Sequence, residues 1–540
     1  MIGCKRRFGS AGAAWLVAAL TLVGCDDSEA PKPAPPPPEI EVAMHVHFGR
    51  PGATVGMAMR LIHDGASKKA APDATTILSE ASGLPPALIS MADLLQPADL
   101  LVVDSGGQRH RLVSMVPVPE VDKYVPTTDG YQLKPGAGSS SAGSSVVGPD
   151  GDVHCVVSSK GLWCSETAGD RLAGLARAAQ PVVDKWARDH TDVVIEIEGE
   201  QLRKTVWPAL RDDAAILMAS LSARLGHGAD DPLASRLRAL AKTSPEPLLA
   251  VVDRAVVRVR LDGSQARLEA RVDVDPKTTG AVRTTLEALH ESTPLVSALG
   301  HLPADLHASM LRADVGLTQA VVLEEVVRLA AGQPQAMEKV TALQGSLLPG
   351  VVAGVTWAGE RRVLLEAQRS RDPEATKKAL SGLRATVAAV NGQPALSLRP
   401  ATSGLAIDVG GRRAHATLVE DVLVIASGAN LDDAALAKMI PVARAQPNGM
   451  AATLAPHAVA VGLQPSRLAK PGRGAGTVAL GFRVTEKTPQ HLRGALTMQA
   501  DRAALLELSQ LLGYGRSKQP DPALLSRDAD EAGNAVDGAP

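Results

Sequence analysis

Aromatic side chains are nearly missing from this chain. Of 540 residues, three are Phe, three are Tyr and five are Trp, 2% in all. Sugar-binding platforms and single-stranded nucleic-acid grooves rely on stacked aromatic faces, so both classes lose ground here. Cores must instead be built from Leu, Val, Ala and Ile. An excess of either charge is also missing: 56 Lys and Arg face 58 Asp and Glu, a formal net charge of −2. That balance offers no basic footprint for nucleic acid and no polybasic patch for anionic lipid. Catalytic signatures are absent too. The chain has no Gly-x-Ser-x-Gly elbow, Ser-x-x-Lys pair, His-Glu-x-x-His helix or Walker Gly-Lys-Ser/Thr. The expectation is a protein that is not an enzyme and takes no cofactor. Apolar content of 45% still supports real cores rather than disorder.

Cysteine is scarce, but each of the four has a place. Lys5, Arg6 and Arg7 precede an apolar run from Ala11 to Val23, which ends in Leu22-Val23-Gly24-Cys25. A basic start, a short apolar core and small residues before a cut describe a secretory signal. The run is shorter than the roughly 20 apolar residues a bilayer span needs. Leu22-Val23-Gly24-Cys25 matches the bacterial lipobox, and the segment resembles the signals of bacterial lipoproteins. Residues 19–26 are similar in this way to uncharacterised large envelope lipoproteins of GC-rich Gram-negative bacteria.

The resemblance implies that residues 1–24 are removed and that the Cys25 thiol carries a diacylglycerol. Losing Lys5, Arg6 and Arg7 takes the net charge from −2 to −5. Two or three acyl chains, at about 0.8 kcal/mol per buried CH₂, hold a protein on a membrane stably. The chain is then anchored on the extracytoplasmic side of the cell envelope, with the membrane and an envelope protein as partners and no nucleic acid. In part of that class an Asp after the acylated Cys retains the protein in the inner membrane, and Asp26 stands there. The choice of inner or outer membrane stays open. Residues 25–38 form a Pro-rich tether, which at about 3.1 Å per residue holds the body roughly 40 Å from the lipid.

Cys155 and Cys164 form an even pair in an oxidising compartment. His154 to Cys164 reads as two strands around a turn at Ser159-Lys160. With two loop residues, 155 faces 164 at a non-hydrogen-bonded site, where facing side chains come closest. The spacing predicts a Cys155–Cys164 disulfide.

Between tether and tail the chain repeats itself. Residues 154–176 align without gaps on 415–437, and 192–202 resemble 458–468. Residues 256–289 resemble 478–515 with Asp275 and Asp501 in matching places, and 99–123 resemble 352–378. The expected fold class is α+β: two tandem related domains of antiparallel strands packed with helices, at 39–295 and 296–515. Helical insertions are expected at 205–247 and 317–345, a flexible loop at 135–149 and a disordered tail at 516–540. Asp262-Gly263 between alternating runs marks a hairpin, and helical periodicity covers Thr278 to Leu289 and Ala503 to Leu512.

Several residues invite chemistry. Alternation along Ile40–Phe48 puts His45 and His47 on one strand face, a weak metal-ligand candidate against a pair of histidines on a solvated face. No metal is assigned to them, because further ligands such as His63, His110 and His154 cannot be placed nearby. His154 and His415 hold matching positions and read as structural. Glu196, Glu198 and Glu200 alternate as they do on a half-exposed strand. Gly148-Pro-Asp-Gly-Asp152 reads as a turn rather than a calcium loop, and the Gly-rich run 472–476 as a short connection. Repetition favours a binding or scaffolding role over catalysis. The alternatives are a lipid or lipoprotein carrier with an apolar cavity, and a metal-dependent hydrolase with His45, His47 and carboxylates in one cleft.

Overall fold

Short apolar runs separated by turn residues become strands, and near-continuous ones become strands buried on both faces. The computed structural model describes residues 40–511 except 63–72, 126–128, 136–143, 159–160, 167, 187–188, 190, 209–210, 212–248, 291–297, 303–307, 313–320, 332, 384–385, 391–392, 402–403, 410–411, 429, 441–452, 466 and 468–475. The expected domain junction at 295–296 lies outside the described residues, as do the tail and most of the insertion at 205–247.

The first half contributes β1 (Glu41–Phe48), β2 (Ala98–Ser105), β3 (Gln108–Met115), β4 (Gln132–Lys134), β5 (Ser145–Val147), β6 (Val153–Ser158), β7 (Gly161–Cys164), β8 (Val193–Glu198), β9 (Val252–Leu261) and β10 (Gln265–Val274). The second contributes β11 (Ala308–Arg312), β12 (Val351–Ala358), β13 (Arg361–Arg369), β14 (Thr386–Val390), β15 (Gln393–Ala401), β16 (Gly404–Val409), β17 (Arg412–Val419), β18 (Val422–Gly428), β19 (Val459–Leu463), β20 (Val478–Lys487) and β21 (Leu492–Asp501). Helices are α1 (Pro51–Ile62), α2 (Ala74–Ser82), α3 (Pro86–Ile89), α4 (Leu172–Trp186), α5 (Gly280–Ala288), α6 (Val321–Ala330), α7 (Pro334–Gly345), α8 (Pro373–Gly382), α9 (Asp433–Met439) and α10 (Arg502–Leu511).

Every pairing among the described residues is antiparallel. In space the first half runs β4-β5-β6-β7-β3-β2-β1-β8-β9-β10. The second runs β15-β16-β17-β18-β13-β12-β11-β19-β20-β21 in the same relative order, with β14 added outside β15. The two sequences of strands meet where β10 pairs with β21, from Gln265↔Asp501 to Val274↔Leu492. With Asp275 matched to Asp501, the residue matching Ala270 is Leu496, and these two face each other across the ladder. A patch that meets its own equivalent is the mark of two-fold, isologous contact. The fold is α+β, as the patterning predicts.

Each half buries both faces of its sheet. In the first, Met44, Val46, Leu100 and Val102 pack under Leu78 and Ala81 of α2 and Leu88 and Ile89 of α3. On the opposite face Leu101, Val103, Leu112 and Trp163 pack against Leu172, Leu175 and Ala179 of α4. In the second half α6, α7 and α8 cover one face through Val326, Val340 and Leu380. Leu431 and α9, through Leu436, cover the other.

The loop expected at 135–149 is shorter than its composition suggests, because Ser145–Val147 is a strand paired with Gln132–Lys134. Cys155 pairs with Cys164 and Ser158 with Gly161, which makes 159–160 a two-residue connection. Ser165 N donates to His154 O at 2.9 Å, so the neighbouring 155–164 pair is the non-hydrogen-bonded one. The two cysteines are disulfide-bonded with Cα atoms 4.0 Å apart. For a loop this short, chain entropy sets a ceiling of about 2.5 kcal/mol on the gain, which the hairpin itself reduces. Replacing both cysteines by Ser is therefore expected to lower the free energy of urea unfolding by about 1–2.5 kcal/mol under oxidising conditions. Added dithiothreitol should bring wild type down to the variant, and a variant as stable as oxidised wild type would contradict this.

Candidate functional site

The alternation of β1 does place His45 and His47 on one face, and the register sets Asp99 of β2 opposite His47. Asp99 Oδ1 lies 2.8 Å from His45 Nε2 and 2.8 Å from His47 Nδ1. An ionised carboxylate only accepts, so both imidazoles donate to one oxygen. His45, His47 and Asp99 are 2%, 1% and 3% exposed. The expectation of a solvated strand face is thus corrected: β1 has helices over one face and the end of α4 over the other. There Trp186 Nε1 donates to Glu196 Oε2 at 3.3 Å, and Glu196 is the residue that β8 sets opposite His45.

Glu196 extends the cluster toward the surface. It also takes Lys185 Nζ at 3.4 Å and an ion pair with Arg254. The Trp186 ring is flanked by Lys185 Nζ, 5.0 Å from its centroid, and by the Arg258 guanidinium at 5.5 Å. Burial by itself pushes the His47 pKa down. The hydrogen bond and charge of Asp99, with the main chain and charge of Asp189, outweigh burial and leave it above the ordinary 6.5.

This arrangement holds a proton well and a metal poorly. The ring nitrogens that face each other are both committed to Asp99 Oδ1, the position a shared cation would need. Ser114 stands across from Asp99 on β3. Even so, among the described residues no hydroxyl or thiol is hydrogen-bonded to either imidazole, as a nucleophile–base pair requires. The second half sets Ser309, Leu311 and Val352 at the matching register positions, so the fold itself does not demand these charges.

The other candidates disperse. Cys25 and residues 1–39 lie outside the described residues, as do His63 and 472–475. His110 is buried on β3 opposite Val103, away from Asp99 along the strand. His154 bonds Asp150 at 3.3 Å and His415 bonds Asp433 at 2.7 Å on matching strands. Gly148 N donates to Asp152 O at 2.9 Å, closing a turn.

The three glutamates do not share one strand face, which corrects that reading. β8 stops at Glu198, and Glu200 sits in the helical turn Gly199–Gln201, paired with Lys204 at 2.5 Å. A Cβ on Gly199 would lie 1.8 Å from the Val252 carbonyl. Only Gly lets the chain leave the sheet there. Asp99 was missed from sequence, although a lone acid inside Ala98–Val103 signals a buried charge in need of a partner.

No family model matches the chain, and no curated protein matches it. Two solved structures, crystal forms I and IV of TP0453, are similar to it at 9% identity. The first covers 48% of this chain and 80% of that one at a TM-score of 0.22. The second covers 39% and 95% at 0.21. Likeness at that level carries no argument about fold or function.

Removing Asp99 strands two buried imidazoles, and Asp99→Ala is expected to cost about 3–5 kcal/mol. A folded-state pKa above 6.5 adds stability that is complete below pH 6.5 and is lost as pH rises through the raised value. The difference in unfolding free energy between wild type and His47→Gln should therefore shrink from pH 6.5 upward. Because His301 and His457 are shifted down and act oppositely, urea denaturation of both proteins should be compared at each pH. Parallel profiles would refute the assignment.

Proposed function

We propose that the chain is a lipid-anchored cell-envelope protein with a binding or scaffolding role and no catalytic one. Cys25 carries the acyl group, and residues 25–38 hold the body off the membrane. The observation that carries this reading is Leu22-Val23-Gly24-Cys25, placed at the end of a short apolar run and directly before the Pro-rich tether. The Cys155–Cys164 disulfide supports it, since such bonds persist in oxidising compartments. With that pair closed, Cys25 is the one thiol left after residues 1–24 are removed. Among the described residues no helix is long and apolar enough to cross a membrane.

A scaffolding role is supported by the repeated strand order and by the sealed cluster around Asp99, which a substrate cannot reach. The carrier alternative needs an apolar cavity. Between the sheet and the α2–α3 layer, the space lined by Phe48, Leu78, Ile89, Leu100 and Met115 measures about 10 Å³. On that measure a single water needs about 10–15 Å³, so this space takes one water at most and no acyl chain.

Metabolic labelling with radioactive palmitate tests the anchor. Wild type should incorporate label and sediment with membranes, whereas Cys25→Ser should lose the label and appear in the soluble fraction. Label retained on Cys25→Ser would reject the reading. Sucrose-gradient fractionation of wild type against Asp26→Ser then assigns the membrane: a shift between fractions supports retention by Asp26, and an unchanged inner-membrane position rejects it.

A further inference from the structure

Two segments far apart in sequence meet at one end of the second half. β17 and β18 are joined by the turn Glu420-Asp421, because Val419 pairs with Val422. Residues 298–302 pack beside them, with Ala298, Leu299 and Leu302 sharing a core with Val422 and Val424. That helical turn carries His301, which is 4% exposed. One His301 ring nitrogen, one Glu420 carboxylate oxygen and one Asp421 carboxylate oxygen all lie within 4.8 Å of one another.

Of the three side chains, the buried imidazole is the one left unsatisfied. His301 Nδ1 is buried and meets no hydrogen-bond partner among the described residues. Buried polar groups are normally paired, so an orphan of this kind calls for an explanation. Asp421 engages Arg369 Nε through Oδ2 at 3.0 Å, which leaves Oδ1 available. Burial holds the His301 pKa below 6.5 against the opposing pull of Glu420 and Asp421.

We propose that His301, Glu420 and Asp421 form a binding site for a divalent transition-metal cation, with Zn²⁺ the best match. One imidazole and two carboxylates are zinc ligands, at bond lengths of about 2.0–2.2 Å. Tetrahedral bonds of that length need donors about 3.4 Å apart, and donors that already lie within 4.8 Å of one another have at most about 1.4 Å to close. Glu420 is exposed and has the freedom to do this. Its exposure also leaves the fourth position to water. Harder Ca²⁺ and Mg²⁺ take oxygen ligands and gain nothing from a buried imidazole. The matching turn of the first half reads Ser159-Lys160, without a carboxylate, so the site belongs to one half. A bound ion would tie residues 298–302 to the β17–β18 turn.

The test is titration of the detergent-solubilised full chain with ZnCl₂ by calorimetry, alongside thermal melting with and without the ion. Wild type should show one saturable site absent with MgCl₂, and Zn²⁺ should raise its melting temperature. Glu420→Gln and Glu420→Gly should each weaken binding at least tenfold. Glu420 holds φ at +55°, in the left-handed region that favours glycine, so Glu420→Gly should fold without loss of its metal-free melting temperature. Weak binding by a well-folded Glu420→Gly therefore reports lost ligation rather than lost structure. Equal Zn²⁺ affinity in wild type and both variants, or no saturable binding in wild type, would overturn the proposal.

Discussion

The antiparallel ladder between β10 and β21 is the contact on which the rest of the molecule depends. Each of these strands ends the strand sequence of its own half, and each is ten residues long. An unpaired edge of that length, carrying Leu268, Val272, Leu496 and Met498 on one face, would template pairing with other chains. Placing the two edges against each other removes both hazards at once. The covalent link between halves makes that pairing intramolecular, which favours it over association with a second copy. Register is held on the opposite, polar face. Arg493 Nε donates to Asp273 Oδ1 at 2.8 Å across the ladder, and Gln499 Nε2 to Gln265 Oε1 at 3.0 Å. A one-residue slip would move these groups to the apolar face, so the two-fold centre at Ala270 and Leu496 is strongly specified.

The two halves share strand order but differ in what they bury. The first accepts two imidazoles, His45 and His47, around Asp99 in its sheet, with Glu196 and its cations beside them. The second sets Ser309, Leu311 and Val352 at the equivalent register positions and has Gly462 in place of Glu196. Buried charges persist only when paired and hydrogen-bonded, and here His45 Nε2 and His47 Nδ1 are both paired on Asp99 Oδ1, while His47 Nε2 meets no partner among the described residues. Of the second half's buried histidines, His301 lies at a different place and beside two carboxylates. Divergence within one scaffold has thus put these two clusters at different strand positions in the two halves, while His154, bonded to Asp150, and His415, bonded to Asp433, keep matching ones.

Local signals were legible in the sequence, and distant partners were not. The 155–164 hairpin, the Asp262-Gly263 turn and the helices at Gly280–Ala288 and Arg502–Leu511 follow from contacts within a dozen residues. The repeat was legible because matching segments recur in one order. His45 and His47 were correctly placed on one face, but their burial depends on Asp99, some fifty residues on, and on Trp186 at the end of α4. α1, α2 and α3 went unread, as did the hairpins of β14, β15 and β16, which have no counterpart in the recognised repeats. Glu200 leaves the strand because of a backbone approach at Gly199 that residue alternation does not register.

Backbone amide hydrogen exchange over Gln265–Val274 and Leu492–Asp501 tests the central claim most directly. If β10 and β21 are paired with each other, amides of both strands directed across that ladder should exchange as slowly as those of β2 and β13 in the two cores. Rapid exchange of these amides while β2 and β13 stay protected would show two free edges, and would contradict the joining of the halves into one ladder.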